Sequence, residues 1–491
     1  MKYLYGASIQ GIQDFIFSTG KLKHIVGASE LIEALCKDKK DEFLENHKLE
    51  AEIVVAAAGN IRLIFNSKEA AETIYLHFPK FVNDTAPGIT VSQAVVQADD
   101  EIGQEHFNKL EQLLKAQRNN RTRPTDIGLS IVRRSQTTGK PAVRVEDELL
   151  DLATDRKIEA GKDSKMRLLE KLGAVADKNK FTDNFGYIVD DNKGDLLAVI
   201  HADGNGLGKI IQQISASGQN IAKLMGMFST ALDEATASAA SKAFKEIIVP
   251  ATGKYYPFRP VVLGGDDLTV VCRGDLAIPF TQKFLGYFEL ETKDKFKGMP
   301  ELCDVFKNGL TACAGIALVK PSYPFHFAVS LAEELCSYAK KATRECSSLA
   351  FHLELGGYID SYEKIVEREL TAGSYKFNFG PYYLRSKPKI DSLIDAAKIL
   401  KKCSPLKSGI RRWVSELHRD VNSARIMLER LDDVASEKYG KDIKEFEKAL
   451  KELLPEQPGA EKLRHLLSQN TDRNPAYDLL TVAEIFNREK E

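Results

Sequence analysis

Cysteine is sparse in this 491-residue chain: the seven cysteines are scattered and no two form a Cys-x-x-Cys pair. That excludes a disulfide framework and fits reduced core residues, so a cytoplasmic location is expected. No apolar run approaches the roughly 20 residues that a membrane span requires. The N-terminus lacks the basic and apolar blocks of a signal peptide. Charge of one sign is missing too. With 69 Lys and Arg against 70 Asp and Glu, the formal net charge is −1, which argues against a free-standing general nucleic-acid binder. Tryptophan occurs once, as Trp413. What is present, 43% hydrophobic and 28% charged residues, is ordinary for a soluble globular chain of about three or four domains.

The most informative stretch is VVLGGDDLTVVC, from Val261 to Cys272. Two apolar runs, each long enough for a buried strand, flank Gly264-Gly265-Asp266-Asp267, a plausible tight hairpin turn. Adjacent carboxylates at such a tip repel each other. They are tolerable in water, as an ordinary acidic turn, or with a divalent cation between them. About sixty residues upstream, Leu196 to Ile200 reads as a strand leading through Asp203 into the Gly-rich turn Gly204-Asn205-Gly206-Leu207-Gly208. A helix starting near Leu207 would present unpaired N–H groups, which suit a phosphate. That strand beside the hairpin gathers Asp203, Asp266 and Asp267 at one sheet edge. Such a cluster can hold two magnesium (or manganese) ions about 3.5–4 Å apart, between a nucleoside triphosphate and an attacking hydroxyl.

Downstream, Leu276 to Phe288 has helical spacing, Leu310 to Val319 reads as a strand, and Phe327 to Thr343 is an amphipathic helix. The order β-α-β-β-α-β describes a ferredoxin-like sheet with helices on one face. Lys340 or Lys341, at the end of the last helix, could reach a triphosphate or simply complement the helix dipole. The first half of the chain carries a degenerate copy. Val54 to Phe65 aligns without gaps on Val261 to Cys272, with Ala57, Ala58, Gly59 and Asn60 in place of Gly-Gly-Asp-Asp. YLYGASIQGIQDFI aligns on LAVIHADGNGLGKII, with Ser8 or Ile9 in place of Asp203. The first copy has no carboxylates for metal, so its expected job is to pair with the second and close one side of a nucleotide pocket.

The ADGNGLG turn, the GGDD hairpin, the CAGIALVKPSYP strand and the SYAKKA helix resemble the catalytic palm of the large polymerase-cyclase subunit of type III CRISPR effector complexes. The opening, YGASIQGIQDFIFSTGKLKHIVGASELIE, resembles the start of that family's first palm. The resemblance implies a nucleotidyltransferase that converts ATP to cyclic oligoadenylates when the complex holds target RNA. It implies that Asp203, Asp266 and Asp267 bind metal, that Asp266 and Asp267 are catalytic, and that Gly264, Gly265 and Lys340 lie near the triphosphate beside Asn205 and Gly206. Guide and target RNA and small helical subunits are the partners it implies, with no membrane.

Three departures from the family stand out. Asn205 replaces a frequent second acid in the strand-end turn; its amide can meet a phosphate, a ribose or a metal but supplies no charge. No His-Asp pair occurs among the nine histidines, so the family's nuclease domain is not expected. Ser130 to Val143, where relatives carry a zinc module, has no cysteine, so no zinc is expected.

The fold class expected is α+β: two ferredoxin-like (palm or nucleotide-cyclase) domains plus an all-α C-terminal domain. The expected divisions are 1–114 for a degenerate first palm, 115–190 for a basic linker and helical connector, 191–352 for the catalytic palm, and 353–491 for the helical domain. Two basic stretches could meet RNA phosphates or form solvated faces. One holds Arg118, Arg121, Arg123, Arg133, Arg134, Lys140 and Arg144. The other holds Lys398, Lys401, Lys402, Lys407, Arg411 and Arg412, just before Trp413. Two other functions remain open: a stand-alone cyclic-nucleotide synthase, and a scaffold that binds RNA and nucleotide without synthesis. A diguanylate cyclase fits poorly, because Asp267-Leu268 stands where that family has Glu-Phe.

Overall fold

The computed structural model describes residues 1–57, 59–99, 101–119, 131–163, 167–173, 176–189, 196–216, 221–297, 309–356, 360–454, 462–468 and 472–486. The expected Arg121 and Arg123 lie outside the described residues.

The chain opens with β1 (Lys2–Gln10), whose seven central residues are all buried. Helices α1 (Ile12–Ile16), α2 (Leu22–Cys36) and α3 (Asp38–Asn46) follow. The hairpin β2 (Glu52–Ala57) and β3 (Asn60–Phe65), then α4 (Lys68–Thr85), β4 (Thr90–Ala98) and α5 (Gln104–Asn119), complete the first palm. Its antiparallel sheet runs β2-β3-β1-β4, the ferredoxin-like order. Helix α4 packs on the face of Tyr5, where the Phe78 ring meets it edge-on at 6.5 Å. Helix α5 covers the other face, seating Leu110 against Gly6.

The charged connector is tightly packed. It contains the hairpin β5 (Ala142–Val145) and β6 (Leu149–Asp151), followed by α6 (Leu152–Asp163), α7 (Arg167–Lys171) and α8 (Phe185–Ile188). A Cβ on Gly27 of α2 would lie only 1.8 Å from the Lys157 carbonyl oxygen of α6.

The second palm is built from β7 (Leu197–Gly204), α9 (Leu207–Ala216), α10 (Ile221–Ala243), β8 (Phe258–Gly264), β9 (Asp267–Arg273), α11 (Gly274–Phe296), β10 (Ala312–Val319), α12 (Phe325–Ala342) and β11 (Ser348–Glu354). The run β10-β7-β9-β8 repeats the strand order of the first sheet, and β11 adds a parallel strand beside β10. Helix α11 packs through Phe280 on Phe258, on one face of the sheet. Helix α12 lies on the other face, so close that a Cβ on Gly315 would sit 1.9 Å from the Ala332 oxygen. Gly315 lies opposite His201, so α12 covers the face that carries His201 and Asp203. The helices of the β-α-β-β-α-β unit, α10 and α11, pack together on one face as expected, and α12, the crossover that a parallel β10–β11 pair needs, takes the open side.

Among the described residues, the C-terminal region contains α13 (Tyr362–Arg368), the two-residue strands β12 (Thr371–Ala372), β13 (Tyr375–Lys376) and β14 (Tyr382–Tyr383), and then six helices. These are α14 (Ile390–Lys402), α15 (Ser404–Leu417), α16 (Val421–Lys438), α17 (Gly440–Leu453), α18 (Leu463–Ser468) and α19 (Ala476–Phe486). The fold is thus α+β with two ferredoxin-like sheets and a mainly helical C-terminal region. Strand β14 joins the second sheet beside β11, so this region grows out of the second palm.

The two palms meet reciprocally. Helix α2 of the first lies against β8 of the second, and α10 of the second lies against β2 of the first. At the latter contact a Cβ on Gly226 would be 3.1 Å from the Val54 oxygen.

Candidate functional site

Strands β7 and β9 are antiparallel, with Ala202 opposite Leu268. One step further along this register, Asp203 stands beside Asp267. Gly264 pairs with Asp267 across a two-residue turn, in which Gly265 has φ +60°. A backbone in that region favours glycine. Asp266 completes the turn, and one carboxylate oxygen each from Asp203, Asp266 and Asp267 lie within 4.8 Å of one another. Gly204 makes this approach possible, since a Cβ there would lie 2.9 Å from the Asp266 Cβ. The room at Gly204 is thus taken up by the hairpin.

Burial and the neighbouring Asp203 carboxylate push Asp266 up to about 7. Burial, then the charges of Asp266 and Asp203, hold Asp267 well above the usual carboxylate range. Lys340 of α12 forms an ion pair with Asp203 and donates to the Gly204 carbonyl at 3.0 Å, whereas Lys341 is exposed. Three carboxylates with one lysine leave negative charge uncompensated, which is the donor set a divalent cation takes.

The same register in the first palm decides a position left open by sequence. Ala7 lies opposite Ile61 and Ser8 opposite Asn60, so Ser8, not Ile9, occupies the place of Asp203. Its hydroxyl donates to Asn60 Oδ1 at 3.2 Å. A neutral hydrogen bond therefore stands where the second palm sets carboxylate against carboxylate.

Asn205 is buried. Its backbone N–H donates to the Thr311 carbonyl at 2.8 Å, and its Nδ2 donates to Thr311 Oγ1 at 3.0 Å. Its Oδ1 is buried with no partner among the described residues, so that oxygen is the atom free to meet a ligand. Gly206 has φ +77° and open space around it.

Several residues around the hairpin were not visible in sequence. Asp233 Oδ1 of α10 accepts the Gly265 N–H at 3.0 Å, and Thr236, one helical turn on, donates to the Gly265 carbonyl at 2.6 Å. Both backbone groups of the turn glycine are thereby fixed. Lys171 of α7 donates to the Leu263 carbonyl at 2.6 Å and joins Asp233 at 3.3 Å to Glu33 of α2 at 2.8 Å. The only sequence signal was helical spacing, which does not say which neighbour a helix meets.

Between the palms lies a cavity of about 130 Å³. Ile12, Ile16, Phe17 and Ile32 from the first palm face Val262, Leu263, Thr269 and Asp267 from the second. Glu33, Lys37, Lys171, Asp233 and Glu333 bring charge to its wall. Glu333 is raised to about 7 by burial and by Asp14 and Glu334. His201 accepts or donates at Thr269 Oγ1, 3.0 Å away, and burial lowers it to about 4, so it enters neutral chemistry as an uncharged imidazole.

The two basic stretches are partly spoken for. Arg144 pairs with Glu146 and Asp155, and Arg134 donates to the Gly139 carbonyl. Lys407 and Arg411 share Glu484, and Lys401 donates to the Phe486 carbonyl. Trp413 is buried at 1% exposure against Tyr375 and Phe377; it is a core residue with no face for a base. No helix among the described residues is long and apolar enough to cross a membrane.

Residues 196–348 match the family model described as Cas10/Cmr2, second palm domain. No curated protein matches the chain. Among solved structures, the fold is similar to a chain of the Csm1-Csm4 cassette in complex with cA3, with a TM-score of 0.55 and 14% identity over 99% of this chain and 69% of that one. The cassette in complex with one ATP gives 0.53 and 14% over 99% and 70%. The Csm1-Csm4 subcomplex in the type III-A CRISPR-Csm interference complex gives 0.51 and 15% over 99% and 70%. At these identities the likeness is one of fold. Residues 196–348 are thus identified as a second palm domain of the Cas10/Cmr2 kind.

Proposed function

We propose that the protein is a metal-dependent nucleotidyltransferase that joins ATP into cyclic oligoadenylates as the large subunit of an RNA-guided type III CRISPR complex. The observation that carries this is the convergence of Asp203, Asp266 and Asp267 within 4.8 Å of one another, with Asp267 lining the cavity between the two palms. A cA3-bound and an ATP-bound cassette of the same fold support the substrate class. Asp203, Asp266 and Asp267 would hold magnesium or manganese, which when bound acidifies the acceptor ribose hydroxyl and neutralises the triphosphate and leaving pyrophosphate.

The chain's own residues do the positioning. Asp233 and Thr236 lock the hairpin that carries Asp266 and Asp267, so the acidic cluster is held without reorganisation. Lys340 balances Asp203, and it is the cation placed to contact phosphate. The apolar wall from Ile12 to Ile32 suits a nucleobase and excludes water, while Gly206 leaves room beside the helix start of α9. His201, neutral and tied to Thr269, is part of the floor and is not assigned a proton transfer.

The test is incubation of the protein with labelled ATP and magnesium, with and without target RNA, followed by mass spectrometry of the product. The paired substitution Asp266→Ala and Asp267→Ala is expected to abolish product with the fold intact; undiminished ATP turnover in that variant would overturn the assignment. Asn205 favours a second reading, a subunit that binds nucleotide and RNA without synthesis. That reading predicts ATP binding but no oligonucleotide under any of these conditions.

A further inference from the structure

A second cluster of metal-ligating side chains lies on the sheet of the second palm, away from the three aspartates. His352 and Glu354 sit two apart on β11 and so point to one face. Glu369 follows the last residue of α13. One ligand atom from each of the three lies within 4.8 Å of the others. His352 is 2% exposed and Glu354 is 1% exposed. Tyr362 of α13 and Tyr477 of α19 close over the imidazole, with ring centroids 6.2 and 6.1 Å away.

The hydrogen bonding of this cluster is incomplete in a specific way. Glu354 Oε1 accepts the Gly356 N–H at 2.6 Å, and Glu369 Oε1 accepts from Arg368 at 2.6 Å. His352 Nε2 and Glu354 Oε2, both buried, have no partner among the described residues. Buried polar atoms are rarely left this way. Each of these two residues thus keeps a buried polar atom without a partner, while a ligand atom of each lies within 4.8 Å of one from the other and from Glu369. One imidazole nitrogen with two carboxylates is a zinc-type ligand set, with a fourth position for water; magnesium prefers oxygen alone.

We propose that His352, Glu354 and Glu369 bind one zinc ion that staples β11 of the second palm to α13 at the start of the C-terminal region. The absence of cysteines in Ser130 to Val143 does not bear on this site, because its ligands are a histidine and two glutamates more than two hundred residues away.

The experiment is elemental analysis of the full-length protein, prepared without chelator and exchanged into excess magnesium, which saturates oxygen-only sites. One zinc per chain is expected, with a rise in Tm on adding zinc that a chelator reverses. His352→Ala should lose the zinc. Glu369→Gln, at a partly exposed position, keeps the variant test available should His352→Ala not fold. It should weaken zinc binding ~10-fold or more, read by competition with a chromogenic chelator. Wild-type protein without zinc and with a Tm indifferent to it overturns the proposal, as does undiminished zinc affinity in Glu369→Gln.

Discussion

Asp267 illustrates how a residue can be wrong for stability and right for chemistry. It sits beside Asp203 and Asp266, and burial and both charges hold it well above the usual carboxylate range. Asp267→Asn keeps the shape and removes the cost of holding a carboxyl group there, charged or forced to keep its proton, so the metal-free protein at neutral pH should gain roughly 1 kcal/mol or more, visible as a higher Tm. Product formation should fall by ~10²-fold or more. A variant that gains no stability would mean the three carboxylates do not repel as placed. These aspartates were legible in the sequence because two apolar strands framed them, and a turn has few reasons to carry adjacent carboxylates. Asp233 and Thr236 were not legible. They are ordinary helix-surface types in α10, and their meaning comes only from the Gly265 backbone they hold.

Elements act here by what they clamp. Helix α7 is a five-residue helix, yet its Lys171 ties α2 of the first palm to α10 and β8 of the second. Lys171→Met should destabilise the chain by roughly 2 kcal/mol, less than a fully buried pair would cost because the side chain retains some exposure. It should also lower product yield, with Lys171→Arg restoring part of both. Unaltered denaturation and activity would show that the palms are held together elsewhere. Helix α12 is clamped by absence of a side chain at Gly315. Gly315→Ala would drive a methyl into the Ala332 carbonyl and lift the helix that carries Lys340. A loss of several kcal/mol is expected, about what severe overpacking costs, measured by chemical denaturation. The sequence showed α12 as an amphipathic helix but not its side of the sheet, because helical periodicity does not encode which face of the next strand it will cover.

At the scale of the whole molecule, the C-terminal region should set part of the pH dependence of stability. Asp478 of α19 is buried, accepts from Tyr382 at 2.6 Å, and is held up to about 7 by burial, against lesser opposite pulls from Tyr382, Gly380 and Arg473. From about pH 4 to about pH 7 the folded chain keeps a proton the unfolded chain has lost, so this contribution is full at low pH and is lost as pH rises through 7. Asp478→Asn should flatten the fall in Tm over that range by about 2–4 °C; an unchanged slope would place the proton elsewhere. The duplication was readable from the gap-free repeat, because strand alternation survives sequence drift while the turn residues do not. The docking of the copies was beyond reach, since nothing in either repeat names the other's edge strand. That docking, α2 on β8 and α10 on β2, has the reciprocity of an isologous dimer interface. A cleft shared by two separate subunits would empty on dilution as the subunits parted. Here both walls are tethered in one polypeptide, so the cleft forms unimolecularly, and specific activity should not depend on the cleft's halves finding each other.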